Sequence, residues 1–228
     1  MSHQRNLQRI RAVAHALHGL HQPVVFVGGA TVSLYAPPLM SSEVRPTDDV
    51  DVVIELASYT DYSLLDEKLR SLGFQNDTQS NVICRYRIKG IVVDIMPLHA
   101  DVLGFSNRWY PEGFQNAISV TIAPKVSVMI FSVLYFIASK LEAFKSRGGN
   151  DYRTSTDFED IVYVLENCPS VEHELLTATG NLKAYLQQAF RHLLEDPYLE
   201  EGIYAHLAPT FAAQKSRQII QMIREFIA

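Results

Sequence analysis

The sequence predicts an α/β chain whose second part is entirely helical. Three observations carry that prediction. Short β-prone runs bounded by Gly and Pro recur up to about residue 130. One pair of them, 81–88 and 91–96, is joined by Lys89-Gly90 alone, the spacing of a β-hairpin. From about residue 131 the apolar residues switch to the helical period and stay there. With 228 residues, one domain or one domain with a helical extension is expected.

Taken in order, Leu7, Ile10, Ala14 and Leu17 sit at helical spacing before Gly19, so an amphipathic helix opens the chain, with Arg5, Arg9 and Arg11 near its start. The run 24–27 is a strand that stops at Gly28-Gly29; 30–35 then reads as a helix ended by Pro37-Pro38, and 37–47 as an irregular loop. Residues 50–56 are strongly β-prone, 61–72 form a helix closed by Gly73, and 74–77 a short strand. After the hairpin comes an aromatic, Gly-containing loop, 104–114, and then strand-like pieces at 118–122 and 126–130. Helices are expected at 132–147, 155–167, 181–195, 197–206 and 212–227, with Thr156 and Glu159 at capping-box spacing in the second.

Composition narrows the class. A 47% hydrophobic, 20% charged chain of this length excludes disorder as the main state and needs no disulfide or metal to hold it together. Cys84 and Cys168 have no partner at metal-ligand spacing and fit a reducing compartment. The N-terminus lacks the layout of a secretory signal, and the longest apolar stretch, 126–138, is too short and too interrupted to span a membrane, so a cytoplasmic protein is expected. A formal charge of −5 argues against a general nucleic-acid coat while leaving room for a local basic groove.

Three features belong together: Gly28-Gly29 between a strand and a helix, Asp49 and Asp51 at the start of a strand, and Asp94 inside the apolar run Val92-Val93-Asp94-Ile95-Met96. Alternation puts Asp49 and Asp51 on one face and Val50, Val52 and Ile54 on the other. Two adjacent carboxylates repel each other unless a cation sits between them, and oxygen ligands suit Mg²⁺ or Mn²⁺. A third carboxylate from a neighbouring strand would complete a two-metal site. Glycines allow a phosphate to approach the backbone, and a helix that follows aims N–H groups at it. Taken singly, Gly-Gly also reads as a tight turn and Asp-x-Asp as a solvated strand end. Asp94 is harder to explain that way, because an ionised carboxylate among Val, Ile and Met is costly without a partner.

These residues resemble a family. Val27-Gly28-Gly29, then Thr47-Asp48-Asp49-Val50-Asp51, then Val93-Asp94-Ile95 resemble, in order, the signature of the polymerase-beta-like nucleotidyltransferase superfamily. In the second half, Lys140-Leu-Glu-Ala143-Phe-Lys-Ser-Arg147 and Asp157-Phe-Glu-Asp160 resemble the third and fourth motifs of AbiEii-type nucleotidyltransferases, a group that includes toxins of type IV toxin–antitoxin systems and the related MenT toxins. The resemblance implies a mixed, twisted nucleotidyltransferase sheet with flanking helices in a catalytic domain at 1–130, and a helical domain at 131–228 that completes a nucleotide cleft. It implies that Gly28 and Gly29 cradle the phosphates of an NTP, that Asp49 and Asp51 ligate the metal ions, and that Asp94 ligates the second ion and deprotonates the acceptor. Lys140 and Arg147, seven residues apart on one helix face, would reach the triphosphate, and Asp157 would orient Lys140 or act near the acceptor. The partners it implies are an NTP, an RNA acceptor such as the 3′ end of tRNA, and a cognate antitoxin protein. Two departures stand out. The stretch 30–48 is long, and Gly29 replaces a common Ser, which moves any side-chain bond to phosphate to Thr31 or Ser33.

Other readings stay open. An acceptor that is a small molecule or a protein side chain fits the same site, and so does a non-catalytic nucleotide- or partner-binding protein on the same fold. Lys140 and Arg147 near a helix end also suit the helix dipole, and Asp157 a first turn. Arg85 and Arg87 share a strand face that either holds phosphates or faces solvent. The aromatic residues Phe105, Trp109, Tyr110 and Phe114 either stack on a base or form a local core. His15, His18 and His21 lack a carboxylate at ligand spacing and do not suggest zinc. Residues 132–228 carry 9 basic and 13 acidic side chains, a net of −4, so an RNA is expected to lie against the N-terminal part.

Overall fold

The structure, a computed structural model, describes residues 2–37, 44–147 and 151–228. Most of the loop expected at 37–47, residues 38–43, lies outside the described residues. The described chain divides into two compact units, one of residues 2–34 and 44–132, the other of residues 35–37 and 133–228.

The first unit is built on a seven-stranded mixed sheet. Its strands are β1 (Val24–Val27), β2 (Asp49–Ile54), β3 (Gln75–Asn76), β4 (Arg85–Ile88), β5 (Ile91–Pro97), β6 (Ile118–Ala123) and β7 (Val126–Ile130), in the spatial order β3-β4-β5-β2-β1-β7-β6. Strand β2 runs antiparallel to β1 and parallel to β5, and β1 runs parallel to β7. The hairpin of β4 and β5 closes on Lys89 and Gly90, both at positive φ (50° and 77°), as a two-residue turn matched to strand twist requires. Residues 81–84, expected in that strand, lie before it. Helix α1 (Ser2–Leu17) packs through Asn6, Ile10, Val13 and Leu17, a stripe shifted one residue from the expected one at Leu7 and Ala14. Helix α2 (Tyr59–Ser71) starts at Ser58, whose hydroxyl accepts from the Asp61 N–H. The aromatic loop contains two short helices, α3 (Ala100–Leu103) and α4 (Tyr110–Gln115). Of its rings, Trp109 is fully buried and belongs to the core, whereas Phe105 is exposed.

The segment Gly29–Tyr35 is a 3₁₀ helix rather than an α-helix. The second unit is all helical: α5 (Val133–Ser146), α6 (Thr156–Asn167), α7 (Val171–Thr177), α8 (Gly180–Glu195), α9 (Leu199–Ala205) and α10 (Ala212–Ile227). Helix α6 is capped by Ser155, which accepts from the Phe158 N–H, and not by the expected Thr156. Helix α7 is an addition to the sequence reading. Among the described residues no helix is long and apolar enough to cross a membrane.

Candidate active site

Register brings the carboxylates together. Residue pairs Val27 with Asp51, Asp51 with Asp94, and Asp94 with Arg85 run in one row across β1, β2, β5 and β4. Alternation then puts Asp49 and Asp51 on the same face, with Val50 and Val52 in the core. One oxygen from each of Asp49, Asp51 and Asp94 lies within 4.8 Å of the others. Asp49 and Asp51 are half-buried and Asp94 is buried.

Asp94 has the partner its apolar surroundings demand. Arg85 forks onto it, with Nε donating to Oδ1 at 2.8 Å and Nη2 to Oδ2 at 2.7 Å, and Nη2 also stands 3.7 Å from Asp49 Oδ2. That hydrogen bond to Asp94, reinforced by the charges of Asp94 and Asp49, holds the guanidinium above its usual range despite some burial. Three carboxylates and one guanidinium leave a net charge of −2. An all-oxygen donor set with that residual charge fits a divalent ion such as Mg²⁺ or Mn²⁺. Cys84, next to Arg85, is buried, and burial followed by the Asp94 charge pushes its thiol up to about 12, so it is neutral and no competing ligand.

The two glycines create this geometry. A Cβ at Gly28, whose φ is +70°, would lie 1.8 Å from Asp51 Oδ2, so the Asp51 carboxylate occupies the space that any other residue would fill. At Gly29 a Cβ would meet Arg45 Nη2 at 2.4 Å and Thr47 Cγ2 at 2.8 Å. The chain entering β2 is pinned by a residue the sequence reading did not single out. Asn6, fully buried in α1, donates through Nδ2 to the Arg45 carbonyl at 3.3 Å and accepts from the Thr47 hydroxyl at 3.3 Å. An Asn in the apolar stripe of α1 is the signal that marks it.

Thr31 and Ser33 do not present their hydroxyls as the sequence reading expected. Thr31 is fully buried and donates to the Gly28 carbonyl at 2.9 Å, closing the turn; Ser33 is 1% exposed. Arg85 and Arg87 are likewise committed to carboxylates, Arg87 donating through Nε to Asp77 at 3.0 Å.

In the second unit, α5 and α6 join Lys140, Arg147, Asp157 and Asp160. Lys140 Nζ lies 3.0 Å from Asp157 Oδ1 and 2.7 Å from Asp160 Oδ2, while Arg147 Nη1 lies 2.8 Å from Asp157 Oδ2. Burial alone would lower the Lys140 ammonium, but Asp160 and Asp157 outweigh it and hold it above the usual lysine range. Lys140 is therefore a saturated, buried cation, whereas the Arg147 side chain is 69% exposed. Asp160, which the sequence reading left out of the site, is the closer of Lys140's two partners.

No protein-family model and no curated protein sequence matches the chain. Its architecture does match solved structures. An antigenic nucleotidyltransferase-like protein from Paracoccidioides brasiliensis superposes over 91% of this chain and 95% of its own, with a TM-score of 0.53 at 19% identity. The chain has a nucleotidyltransferase-like fold. JHP933 from Helicobacter pylori is similar over 99% of this chain and 91% of its own, with a TM-score of 0.50 at 12% identity. At these identities the likeness concerns the nucleotidyltransferase-like architecture, and any chemistry has to be argued from the residues.

Proposed function

We propose that the protein is a metal-dependent nucleotidyltransferase that moves a nucleoside monophosphate from an NTP to an acceptor hydroxyl. The observation that carries this reading is the convergence of Asp49, Asp51 and Asp94 within 4.8 Å on a nucleotidyltransferase-like sheet. Asp49 and Asp51, with Asp94, would hold Mg²⁺ or Mn²⁺, which supplies electrostatic stabilisation of the triphosphate and of the reacting phosphoryl group.

The residues divide the remaining work. Asp94 takes the proton of the acceptor hydroxyl; its two oxygens each keep a lone pair beyond the one engaged by Arg85. The acceptor oxygen then forms its bond to the α-phosphorus as the bond to the β-phosphate oxygen breaks, and pyrophosphate departs with that electron pair. Gly28 gives way to the Asp51 carboxylate and Gly29 to the side chains of Arg45 and Thr47, so the part these glycines take in holding phosphate falls to their backbone N–H groups. Within the second unit Asp157 aligns the exposed Arg147 while Lys140 neutralises Asp157, and it is the resemblance that assigns Arg147 to the triphosphate. Lys140 is in this account a positioning residue.

The acceptor we infer is RNA, with the 3′ end of tRNA as first choice, and the biological role that of an AbiEii-like toxin paired with an antitoxin. The motif order and the near-neutral first unit support this reading. Incubation of the purified protein with each α-labelled NTP, Mg²⁺ and total RNA should label RNA. Asp49→Ala or Asp94→Ala should abolish the label, and full retention of labelling in either variant would sink the proposal.

A further inference from the structure

The first unit carries a second charged feature that the carboxylate site does not use. Two adjoining hollows, of about 790 and 460 Å³, lie along the C-terminal part of α1 and share Ala14, His18 and Ser127. Their charged and titratable lining is Arg11, His15, His18, His21 and Lys125, and no carboxylate lines them among the described residues. In a chain with more acids than bases, that sets two cations, Arg11 and Lys125, in one strip with three imidazoles. Gln8, Arg11 and His15 follow one another at three- and four-residue steps on α1, and His18 opens the 3₁₀ turn that continues it, so they form a single stripe roughly 15 Å long. Arg11, His15 and Lys125 have no hydrogen-bond or ion-pair partner among the described residues, unlike Arg85, Arg87 and Lys140.

Backbone conformation adds an independent mark. Among the described non-Gly residues only His21, Lys89 and Lys125 have positive φ (56°, 50° and 63°), and two of these three line the hollows. Lys125 sits in the turn between β6 and β7, where Gly or Asn would be at ease. Lys125 keeps that conformation and lines the same hollow as the α1 stripe.

We infer that this strip is a binding surface for the sugar–phosphate backbone of folded RNA. Regularly spaced phosphates complement a row of donors without carboxylates, and such an interaction positions a polynucleotide without reading its sequence. The one Phe, Tyr or Trp in the lining, Phe26, is 1% exposed, so the strip lacks the large aromatic anchor of a protein interface, and any stacking on a base falls to the imidazoles of His15, His18 and His21. Helix α1 connects this surface to the carboxylate site, because Asn6 near its start pins the chain leading into β2. The inference deepens the RNA-acceptor reading and rests on it for the identity of the polyanion.

The test is fluorescence anisotropy of a labelled RNA stem-loop with the full chain, at KCl from about 50 to about 200 mM. Arg11→Gln combined with Lys125→Gln should weaken binding roughly 10-fold at the lowest salt and reduce the log K against log salt slope by about 2, one for each phosphate that no longer faces a cation. Arg11→Lys with Lys125→Arg should keep both values, as should Lys183→Gln with Arg217→Gln in the other unit. Unchanged affinity and slope in the Arg11/Lys125 double variant would overturn the inference, as would equal competition by an acidic polypeptide. Asp49→Asn with Asp51→Asn separates the two proposals. RNA binding retained while transfer is lost supports both, and RNA binding by the strip with no transfer in the wild type removes the nucleotidyltransferase reading alone.

Discussion

The two acidic clusters use the same ingredients to opposite ends. Asp49, Asp51 and Asp94 share one guanidinium and keep a net charge of −2, with Asp49 and Asp51 half-buried. Asp157 and Asp160 share Lys140 and Arg147 and come to zero, with both carboxylates buried. Charge that is balanced inside the fold braces the fold. Charge left unbalanced at a partly open position calls for a cation from outside.

The largest expected effect comes from unbalancing the brace. Lys140→Met leaves two buried carboxylates with Arg147 as the one remaining cation of the cluster, on Asp157, and should cost about 3–5 kcal/mol of stability, read as a large drop in melting temperature. Adding Asp157→Asn and Asp160→Asn should recover most of it, because neutral groups need no counter-ion. The brace has a pH signature with a defined sign. The folded pKa of Lys140 is raised, so its contribution is fully present below the unfolded lysine value of about 10.4 and is lost as pH rises through the higher folded value. Melting against pH in the alkaline range should show that loss in the wild type and not in the triple variant.

The unbalanced cluster should respond to cations instead. At about 100 times its Kd, Mn²⁺ should stabilise the wild type by about 2.7 kcal/mol, whereas the melting temperature of Asp49→Asn should not move with Mn²⁺. Without Mn²⁺, Asp49→Asn should melt at or slightly above the wild-type temperature, since it relieves like-charge repulsion. A smaller effect is expected at the fork between the two regimes. Arg85→Gln leaves Asp94 without its bidentate partner, which should cost about 1–3 kcal/mol without metal, and should tighten Mn²⁺ binding by removing the resident cation. Weaker Mn²⁺ binding in that variant would contradict the counter-ion role of Arg85.

Local signals made much of this legible. Strand β1, the Lys89-Gly90 turn and α10 follow from period and turn chemistry, and the common face of Asp49 and Asp51 follows from alternation. The Arg85–Asp94 pair was within reach too. With a two-residue turn at 89–90, counting outward places 88 opposite 91 and therefore 85 opposite 94. What escaped depends on packing between distant segments. The neutral brace requires α5 and α6 to face each other, and sequence spacing alone shows only that each pair shares a helix face. Asn6 is meaningful once the stripe of α1 is known to be one residue out of step with Leu7 and Ala14. The 3₁₀ conformation of Gly29–Tyr35 follows a turn closed on the Gly28 carbonyl, to which both the N–H and the hydroxyl of Thr31 donate, and its apolar pattern looks the same as that of a short α-helix.

The most direct test of the contrast between the clusters is Mn²⁺ binding followed by electron paramagnetic resonance in wild type, Asp51→Asn and Asp160→Asn. The account predicts saturable binding in the wild type, at least about a 10-fold loss in Asp51→Asn, and wild-type affinity in folded Asp160→Asn. Undiminished binding in Asp51→Asn, or an equal loss in both variants, would contradict it.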